Sequence, residues 1–176
     1  MDFQTAIVER FAAGQDALLD ATASAIEAAR KAGMRVIYVV VGFRPSFPEV
    51  SPRNAMFARI RSMGGIATDI DPRVAPMPSD VIVTKHRIGA FTGTDLEMIL
   101  RANDIDTLVL CGIATSGVVL STLRHASDLD YRTIVLSDCC SDADADVHTC
   151  LIEKIFPRQA TVTGSSAFVA SLRQDV

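Results

Sequence analysis

The sequence lacks several features that would assign a chain to a whole class of proteins. It has no apolar run long enough to span a membrane and no charged leader followed by an apolar segment. It contains 17 lysine and arginine residues against 21 aspartate and glutamate residues, for a net charge of −4. Nucleic acids and anionic membrane surfaces are bound through clusters of basic residues, which are absent here. These absences favour a cytoplasmic protein whose partners include neither nucleic acid nor a membrane.

Motifs for disulfides, metals and dinucleotides are also missing. The four cysteines follow neither a C-x-x-C pattern nor the spacing of a secreted disulfide framework, so we expect free and mostly buried thiols. The acidic residues 142–146 and Glu153 imitate a calcium-binding loop, but Val147 stands where that loop requires glycine. Acidic residues in the first turn of a helix explain them better. The glycines around Gly112 and Gly117 do not form the G-x-G-x-x-G fingerprint of a dinucleotide site.

What is present is an alternation of strands and helices over a chain of one-domain length. The 176 residues are 49% hydrophobic and 22% charged. Short connections between alternating elements predict a three-layer, doubly wound α/β fold with a parallel sheet. Residues 5–15 read as a loop. The predicted strands cover residues 34–41, 81–84, 108–111, 133–136 and 160–163, and the predicted helices cover residues 16–31, 53–63, 94–102, 116–129, 143–155 and 166–172.

The most informative segment is Cys111–Thr122, which follows the apolar strand Thr107–Leu110 and opens a helix. A strand, a tight turn of small residues and a helix start bring backbone N–H groups together at the carboxyl edge of a sheet. Ligands bind at that edge in α/β folds. Position 117 is best placed to project a nucleophile there, and it is Gly117. The sequence therefore predicts the frame of an active site without its reactive side chain.

Several segments together resemble the isochorismatase-like hydrolases, also called cysteine hydrolases, over essentially the whole chain. Each segment alone is a moderate signal, whereas their order and spacing together are specific. Asp2-Phe3-Gln4 matches the pattern that carries the family's catalytic aspartate. The other matching segments are 28–39, the lysine segment 83–96 that contains Lys85, and the nucleophile segment Gly112–Thr115 with Val118 and Thr122.

The resemblance implies a role for each matching residue. In the family a thiolate attacks the substrate, a lysine stabilises the anion and a carboxylate relays the proton, and here Lys85 and Asp2 take the last two roles. The family has cysteine where this chain has Gly117. The resemblance also implies a non-proline cis peptide at Ile113–Ala114, with the N–H groups of Ala114 and Gly117 pointing at the oxyanion. We expect Ser116 to be the helix N-cap rather than a replacement nucleophile.

The beginning of the sequence is unusual, because Met1–Gln4 reads as the end of a strand. The resemblance implies that the family's first strand lies mid-sheet, in an order similar to 3-2-1-4-5-6. Its absence would leave unpaired backbone groups on both sides of a slot, which is costly. We therefore expect a single domain, residues 1–176, that lacks the N-terminal strand, and a natural protein with roughly ten more upstream residues.

Two functions remain open. The protein is either a hydrolase of a small amide or vinyl ether, in which Asp2 acts as general base on water, or an inactive member that binds small molecules or serves as a scaffold.

We expect Phe3, Phe91 and Thr115 to line the substrate pocket, with Phe43 and Phe47 nearby. We expect no cofactor and no metal. The resemblance implies a homodimer or homotetramer. Cys139 and Cys140 follow a predicted strand, so either thiol could approach the site, although burial is favoured.

Overall fold

A computed structural model describes residues 1–173. None of its helices has the length and apolarity needed to span a membrane. The strands are β1 (Ile37–Val41), β2 (Val81–Lys85), β3 (Thr107–Ile113), β4 (Arg132–Ser141) and β5 (Thr161–Thr163). The helices are α1 (Thr5–Phe11), α2 (Asp16–Lys31), α3 (Ala55–Ser62), α4 (Leu96–Ala102), α5 (Leu120–Asp128), α6 (Ala145–Cys150) and α7 (Ser165–Ser171). A π-helical turn, Thr115–Val119, precedes α5, and a second, Leu151–Ile155, follows α6.

The strands are parallel and lie between two layers of helices, which confirms the predicted fold class. β1 pairs with β2, while β3, β4 and β5 form a second group in that order. Adjacent residues of β4 point to opposite faces, as in any strand. Val135 packs in one apolar cluster with Leu123 of α5, whereas Leu136 packs in another with Ala25 of α2 and Phe168 of α7. The helices therefore cover both faces of the sheet.

A cleft separates β1 from β3, and the first residues of the chain enter its carboxyl end. The Met1 amino group donates to the Cys111 carbonyl oxygen at 2.9 Å, and the Ile113 N–H donates to the Met1 carbonyl oxygen at 3.2 Å. On the other side the Asp2 N–H donates to the Val39 carbonyl oxygen at 2.8 Å. These hydrogen bonds fix Asp2 between the ends of the two strands.

One segment differs from the sequence-based prediction because of tertiary packing. Residues 5–15 were predicted to be a loop, but Thr5–Phe11 is a helix. The Gln4 carbonyl oxygen accepts hydrogen bonds from the N–H groups of Ile7 and Val8, and both of these side chains are buried. An isolated helix this short is unstable in water, so packing rather than propensity holds it. The local pattern was too short to reveal it.

The fourth strand is longer than predicted, which changes the position of two cysteines. β4 continues through Ser141, past the predicted end at residue 136, because the register with β3 shifts between Leu110 and Gly112 and pairing then resumes. Cys139 and Cys140 were expected to come after the strand. They lie inside it instead, and both are buried.

Candidate active site

The candidate site forms where three parallel strands end. β1 and β2 pair in parallel and end at Val41 and Lys85, and the segment Met1–Asp2 connects them to the end of β3, since the Asp2 N–H bonds to the Val39 carbonyl oxygen and the Ile113 N–H to the Met1 carbonyl oxygen. Gln4 closes the edge at β1: its side-chain amide accepts from the Val41 N–H at 2.7 Å and donates to the Val41 carbonyl oxygen at 3.0 Å. The Gln4 side chain thus makes the two hydrogen bonds that the backbone of a neighbouring strand would make with Val41, and it holds the segment that contains Asp2 in place.

Asp2 and Lys85 form a buried ion pair at this edge. The Lys85 Nζ lies 2.9 Å from Asp2 Oδ2, and the two side chains are only 4% and 8% exposed. Lys85 also donates to the Arg87 carbonyl oxygen at 3.1 Å. The other carboxylate oxygen, Asp2 Oδ1, is buried and has no hydrogen-bond partner within residues 1–173. One oxygen of Asp2 is therefore fixed by Lys85, and the second has no hydrogen-bond partner among the described residues.

The environment of Asp2 favours a proton acceptor. Burial raises the pKa of the Asp2 carboxyl group above its ordinary value, and the Lys85 ammonium group opposes that rise. The backbone of Asp2 lies in the left-handed region, with a φ of 57°, which is uncommon for a residue other than glycine. Side chains with raised pKa values and strained backbones are concentrated at functional sites.

The turn after β3 contains a cis peptide bond between Ile113 and Ala114. The Gly117 N–H donates to the Ala114 carbonyl oxygen at 3.1 Å, so this N–H is used inside the turn. This corrects the expectation that the N–H groups of both Ala114 and Gly117 face the substrate. The Ala114 N–H remains the candidate donor to an oxyanion.

Position 117 has room for a side chain. A Cβ atom built on Gly117 would meet only the Ala114 Cβ, at an ordinary contact distance of 3.8 Å. The φ of Gly117 is not positive, so the backbone does not require glycine there. The lack of a nucleophile at this position is therefore a feature of the sequence and is not imposed by the fold.

The neighbours of Gly117 contact α6, which sequence reasoning missed. Thr115 is fully buried, and its hydroxyl group lies 2.8 Å from His148 Nδ1. That Thr115 lines the substrate pocket stays a prediction, since Asp2 and Lys85 of the candidate site are buried as well. Ser116 makes no side-chain cap; its backbone N–H donates to Asp142 Oδ2 at 2.7 Å, so the N-cap prediction was wrong. The signal was the acidic segment 142–146 with His148 just after it, whose acidic residues the sequence analysis assigned to the first turn of a helix.

The aromatic residues expected to share a pocket belong to two clusters. Phe3, Phe43 and Phe47 pack in one apolar cluster. Phe91 packs in another, where it stacks on His125 with ring centroids 4.9 Å apart. Whether Phe3 and Phe91 line one substrate pocket stays a prediction, since packing in separate clusters does not decide it. Both rings are almost fully buried.

The cysteines do not replace the missing nucleophile. Burial raises the pKa of Cys139 to about 12 and raises the pKa values of Cys111 and Cys140 as well. A thiol attacks as its thiolate, so these three groups are unreactive at neutral pH. Cys150 is exposed on α6.

The donor set offers no obvious metal site. Within residues 1–173, no three side chains of His, Cys, Asp or Glu form a group that could hold an ion. The one buried carboxylate of the site is engaged by Lys85.

Comparison with known proteins agrees with the geometry. The family model for the isochorismatase domain matches residues 1–167. The chain belongs to the isochorismatase family. Its members among solved structures include an isochorismatase family protein from Burkholderia thailandensis, with a TM-score of 0.82 and 30% identity, covering 98% of this chain and 92% of the other. An N-carbamoylsarcosine amidase from Thermoplasma acidophilum superimposes with a TM-score of 0.71 at 27% identity, covering 93% of this chain and 92% of the other.

Curated isochorismatase-family relatives match over shorter lengths. The family protein YecD of Escherichia coli O157:H7 is 48% identical over 84 residues, which is 48% of this chain and 45% of YecD. The ureidoacrylate amidohydrolase RutB of Azorhizobium caulinodans is 35% identical over 147 residues, covering 74% of this chain and 65% of RutB. The matched parts thus span less than two thirds of these relatives.

Proposed function

We propose that this isochorismatase-family hydrolase cleaves a small amide by direct attack of water, with Asp2 as general base. The proposal rests on the different surroundings of the two oxygen atoms of the Asp2 carboxylate. Oδ2 is held by Lys85, whereas Oδ1 is buried without a partner in the described chain. Gly117 offers no side chain for covalent attack and leaves space beside Ala114. A general base can activate a water molecule, which then takes the place of the missing nucleophile.

The proposed reaction conserves protons and charge. Asp2 Oδ1 accepts a proton from water while the water oxygen bonds to the carbonyl carbon of the substrate. The carbonyl oxygen takes the negative charge and accepts a hydrogen bond from the Ala114 N–H. When the carbonyl forms again, the C–N bond breaks and the proton on Asp2 passes to the leaving nitrogen. Lys85 remains protonated throughout and holds the carboxylate in place.

The names of two relatives support an amide of the ureido type as substrate. Ureidoacrylate amidohydrolase and N-carbamoylsarcosine amidase both name a carbonyl carbon bonded to nitrogen. The family name suggests vinyl ethers as a second class, whose cleavage requires a proton on the terminal vinyl carbon, so that Asp2 would have to act there as the acid before water adds. A small carboxylated ureido compound is the first class that we propose to test, and vinyl ethers are the second.

Turnover of a panel of ureido acids, small amides and vinyl ethers tests the proposal. We expect measurable hydrolysis by the wild-type protein and a loss of about 10²–10⁴-fold in Asp2→Asn, which removes the base. Lys85→Met should reduce turnover as well. Asp20→Asn and Lys154→Met alter exposed residues and serve as controls. Loss of activity in the controls, or retention in Asp2→Asn, contradicts the mechanism.

A second candidate function is non-catalytic binding of a small molecule. It is favoured by one observation: the Gly117 N–H is bonded within the turn, so one expected oxyanion donor is occupied. This candidate predicts no turnover across the panel, together with a ligand-induced rise in melting temperature that survives Asp2→Asn. Turnover that depends on Asp2 excludes it.

A further inference from the structure

The turn that follows β3 is held by hydrogen bonds from the segment that follows β4. The Thr115 hydroxyl group lies 2.8 Å from His148 Nδ1, and the Ser116 N–H donates to Asp142 Oδ2 at 2.7 Å. Ala114, whose N–H is the candidate donor to an oxyanion, comes directly before these two turn residues. The two hydrogen bonds therefore fix the backbone immediately next to that donor.

Parallel strand pairing brings this segment to the turn. The last residues of β3 and β4, Ile113 and Ser141, are partners in the register of the two strands, so Asp142 comes directly after one partner and the turn directly after the other. His148 lies on α6, whose first turn is capped by the Asp144 carboxylate. Both groups that bond to the turn thus stand on backbone that has hydrogen bonds of its own.

The buried hydroxyl group of Thr115 favours one protonation state of His148. Thr115 is fully buried, and within residues 1–173 His148 Nδ1 is the one hydrogen-bond partner of its hydroxyl group. A hydroxyl group has one proton to donate, and a buried donor without an acceptor is costly. Neutral imidazole with its proton on Nε2 accepts at Nδ1, whereas doubly protonated imidazole is a donor at both nitrogens. Only neutral His148 therefore accepts the proton of the buried hydroxyl group.

The surroundings of His148 agree with a neutral ring. Burial lowers the pKa of His148, and the Asp142 carboxylate opposes that effect. The turn residues 113–119 contain no titratable side chain. The other titratable residues on α6 and on the segments that flank it are exposed to solvent: Asp144, Asp146, Cys150, Glu153 and Lys154. Asp142 is therefore the main charge that acts on His148.

We propose that His148 and Asp142 are positioning residues that hold the turn with the Ala114 N–H directed at the oxyanion. The inference rests on the proposed hydrolysis, because it concerns the donor that stabilises the charge formed in that reaction. His148 and Asp142 act through Thr115 and Ser116 and do not touch the substrate. Protonation of His148 removes the acceptor for the buried hydroxyl proton, and the turn is then held less firmly. Turnover therefore requires neutral His148.

Variants at position 148 separate positioning from the other effects of the side chain. His148→Asn places an amide oxygen close to the position of Nδ1, so it accepts from Thr115 but does not titrate. On the best substrate of the panel, we expect His148→Ala to lower kcat about 10–100-fold, with KM changed less than about threefold. His148→Asn should bring kcat back to within about threefold of the wild-type value.

The pH dependence of turnover gives a readout that a purely structural role would not change. In the wild type, kcat should fall with decreasing pH as two groups, Asp2 and His148, take up protons. In His148→Asn only the limb that belongs to Asp2 should remain. Asp142→Ala should also lower kcat, whereas Asp146→Ala changes an exposed carboxylate of α6 and is the matched control.

Amide NMR tests the positioning without turnover. The ¹⁵N chemical shifts of Ala114 and Ser116 should change with pH along the same curve as the ring protons of His148. The change at this midpoint should be absent in His148→Asn. The amide of Val162 in β5 should not follow the curve in either protein.

Two sets of results would overturn the proposal. One is full kcat in His148→Ala, or a loss of kcat that His148→Asn does not restore. The other is a pair of amides, those of Ala114 and Ser116, that do not follow the titration of His148. If the wild-type protein hydrolyses nothing in the panel, the proposed hydrolysis fails by itself, and the amide titration still decides whether His148 positions the turn.

Discussion

The Asp2 carboxylate and the Lys85 ammonium group lie 2.9 Å apart in a part of the molecule that is nearly closed to solvent. Residues 83 positions apart in the sequence thus form the one buried ion pair found among residues 1–173. Buried pairs stabilise a fold weakly, because the loss of hydration offsets much of the Coulomb attraction. This pair is therefore better explained by function than by stability.

Breaking the pair on one side should be far more harmful than removing it altogether. Lys85→Met leaves the Asp2 carboxylate buried without its cation, and we expect it to lower the free energy of unfolding by about 3–5 kcal/mol. The double variant Asp2→Asn/Lys85→Met should recover part of this loss. Urea denaturation measures both. The exposed pair Glu27–Lys31 is the control, and Glu27→Gln should cause no measurable change. Strictly additive losses would contradict the coupling.

The titration of Asp2 should differ from that of a surface aspartate. Burial raises the pKa of its carboxyl group, so the ¹³C chemical shift should titrate above the usual value of about 3.9. Lys85→Met should raise the pKa further, because Lys85 opposes the effect of burial. The exposed Asp20 serves as an internal reference.

The raised pKa of Asp2 also determines how the stability of the fold changes with pH. The folded state binds a proton at Asp2 more tightly than the unfolded state, so this contribution is full below the unfolded pKa and is lost as the pH rises through the folded pKa. Activity that depends on ionised Asp2 should fall as the pH drops through the same folded value. A kcat/KM profile whose acid limb lies at the ordinary aspartate value of about 3.9 would contradict the role of Asp2.

Restoring a side chain at position 117 should stabilise the protein. Gly117→Ala introduces a Cβ into open space in a helical turn, and we expect a gain of about 0.4–1 kcal/mol in the free energy of unfolding. The family resemblance implies that Lys85 favours the thiolate of a cysteine at position 117. In a Cys150→Ser background, Gly117→Cys should therefore react with iodoacetamide faster than an ordinary thiol does. A thiol of ordinary reactivity would mean that residue 117 does not occupy the family's nucleophile position.

Position 112 should respond in the opposite way. Gly112→Ala places a Cβ against the Met1 carbonyl oxygen, so Met1 and Asp2 must shift. We expect a loss of about 1–3 kcal/mol, typical of overpacking. Gly117→Ala is the matched control, since the same substitution a few residues away meets no obstacle. Equal effects of the two substitutions on the melting temperature would show that Met1 does not approach Gly112 closely.

His148 should influence the turn through Thr115. His148→Ala leaves the buried Thr115 hydroxyl group without its partner, and we expect a cost of about 1–3 kcal/mol. Thr115→Val in the same background should add little. Burial lowers the pKa of His148, so its contribution is present above the unfolded pKa and is lost as the pH falls through the folded pKa. Denaturation at pH 5 and pH 8 should show this pH dependence in the wild type and not in His148→Ala.

Local pattern in the sequence was sufficient to predict the alternation of strands and helices, the bounds of α2 at residues 16–31 and the fold class. Asp2 and Lys85 were proposed because the segments that contain them resemble the motifs of the isochorismatase-like hydrolases. Local pattern failed for α1, for the end of β4 and for the contact between Thr115 and His148. Each of these depends on a neighbour that is distant along the chain.

Sequence by itself determined which chemical groups are available: a carboxylate, an ammonium group, and a glycine in place of a thiol. Only the tertiary structure decided how they are used. It closed the Asp2–Lys85 pair, left one carboxylate oxygen without a partner, turned the Gly117 N–H toward Ala114 and opened a cleft beside Met1. The physical reason is that hydrogen bonds and burial depend on distances in space, whereas local patterns in a sequence report only residues that are close along the chain.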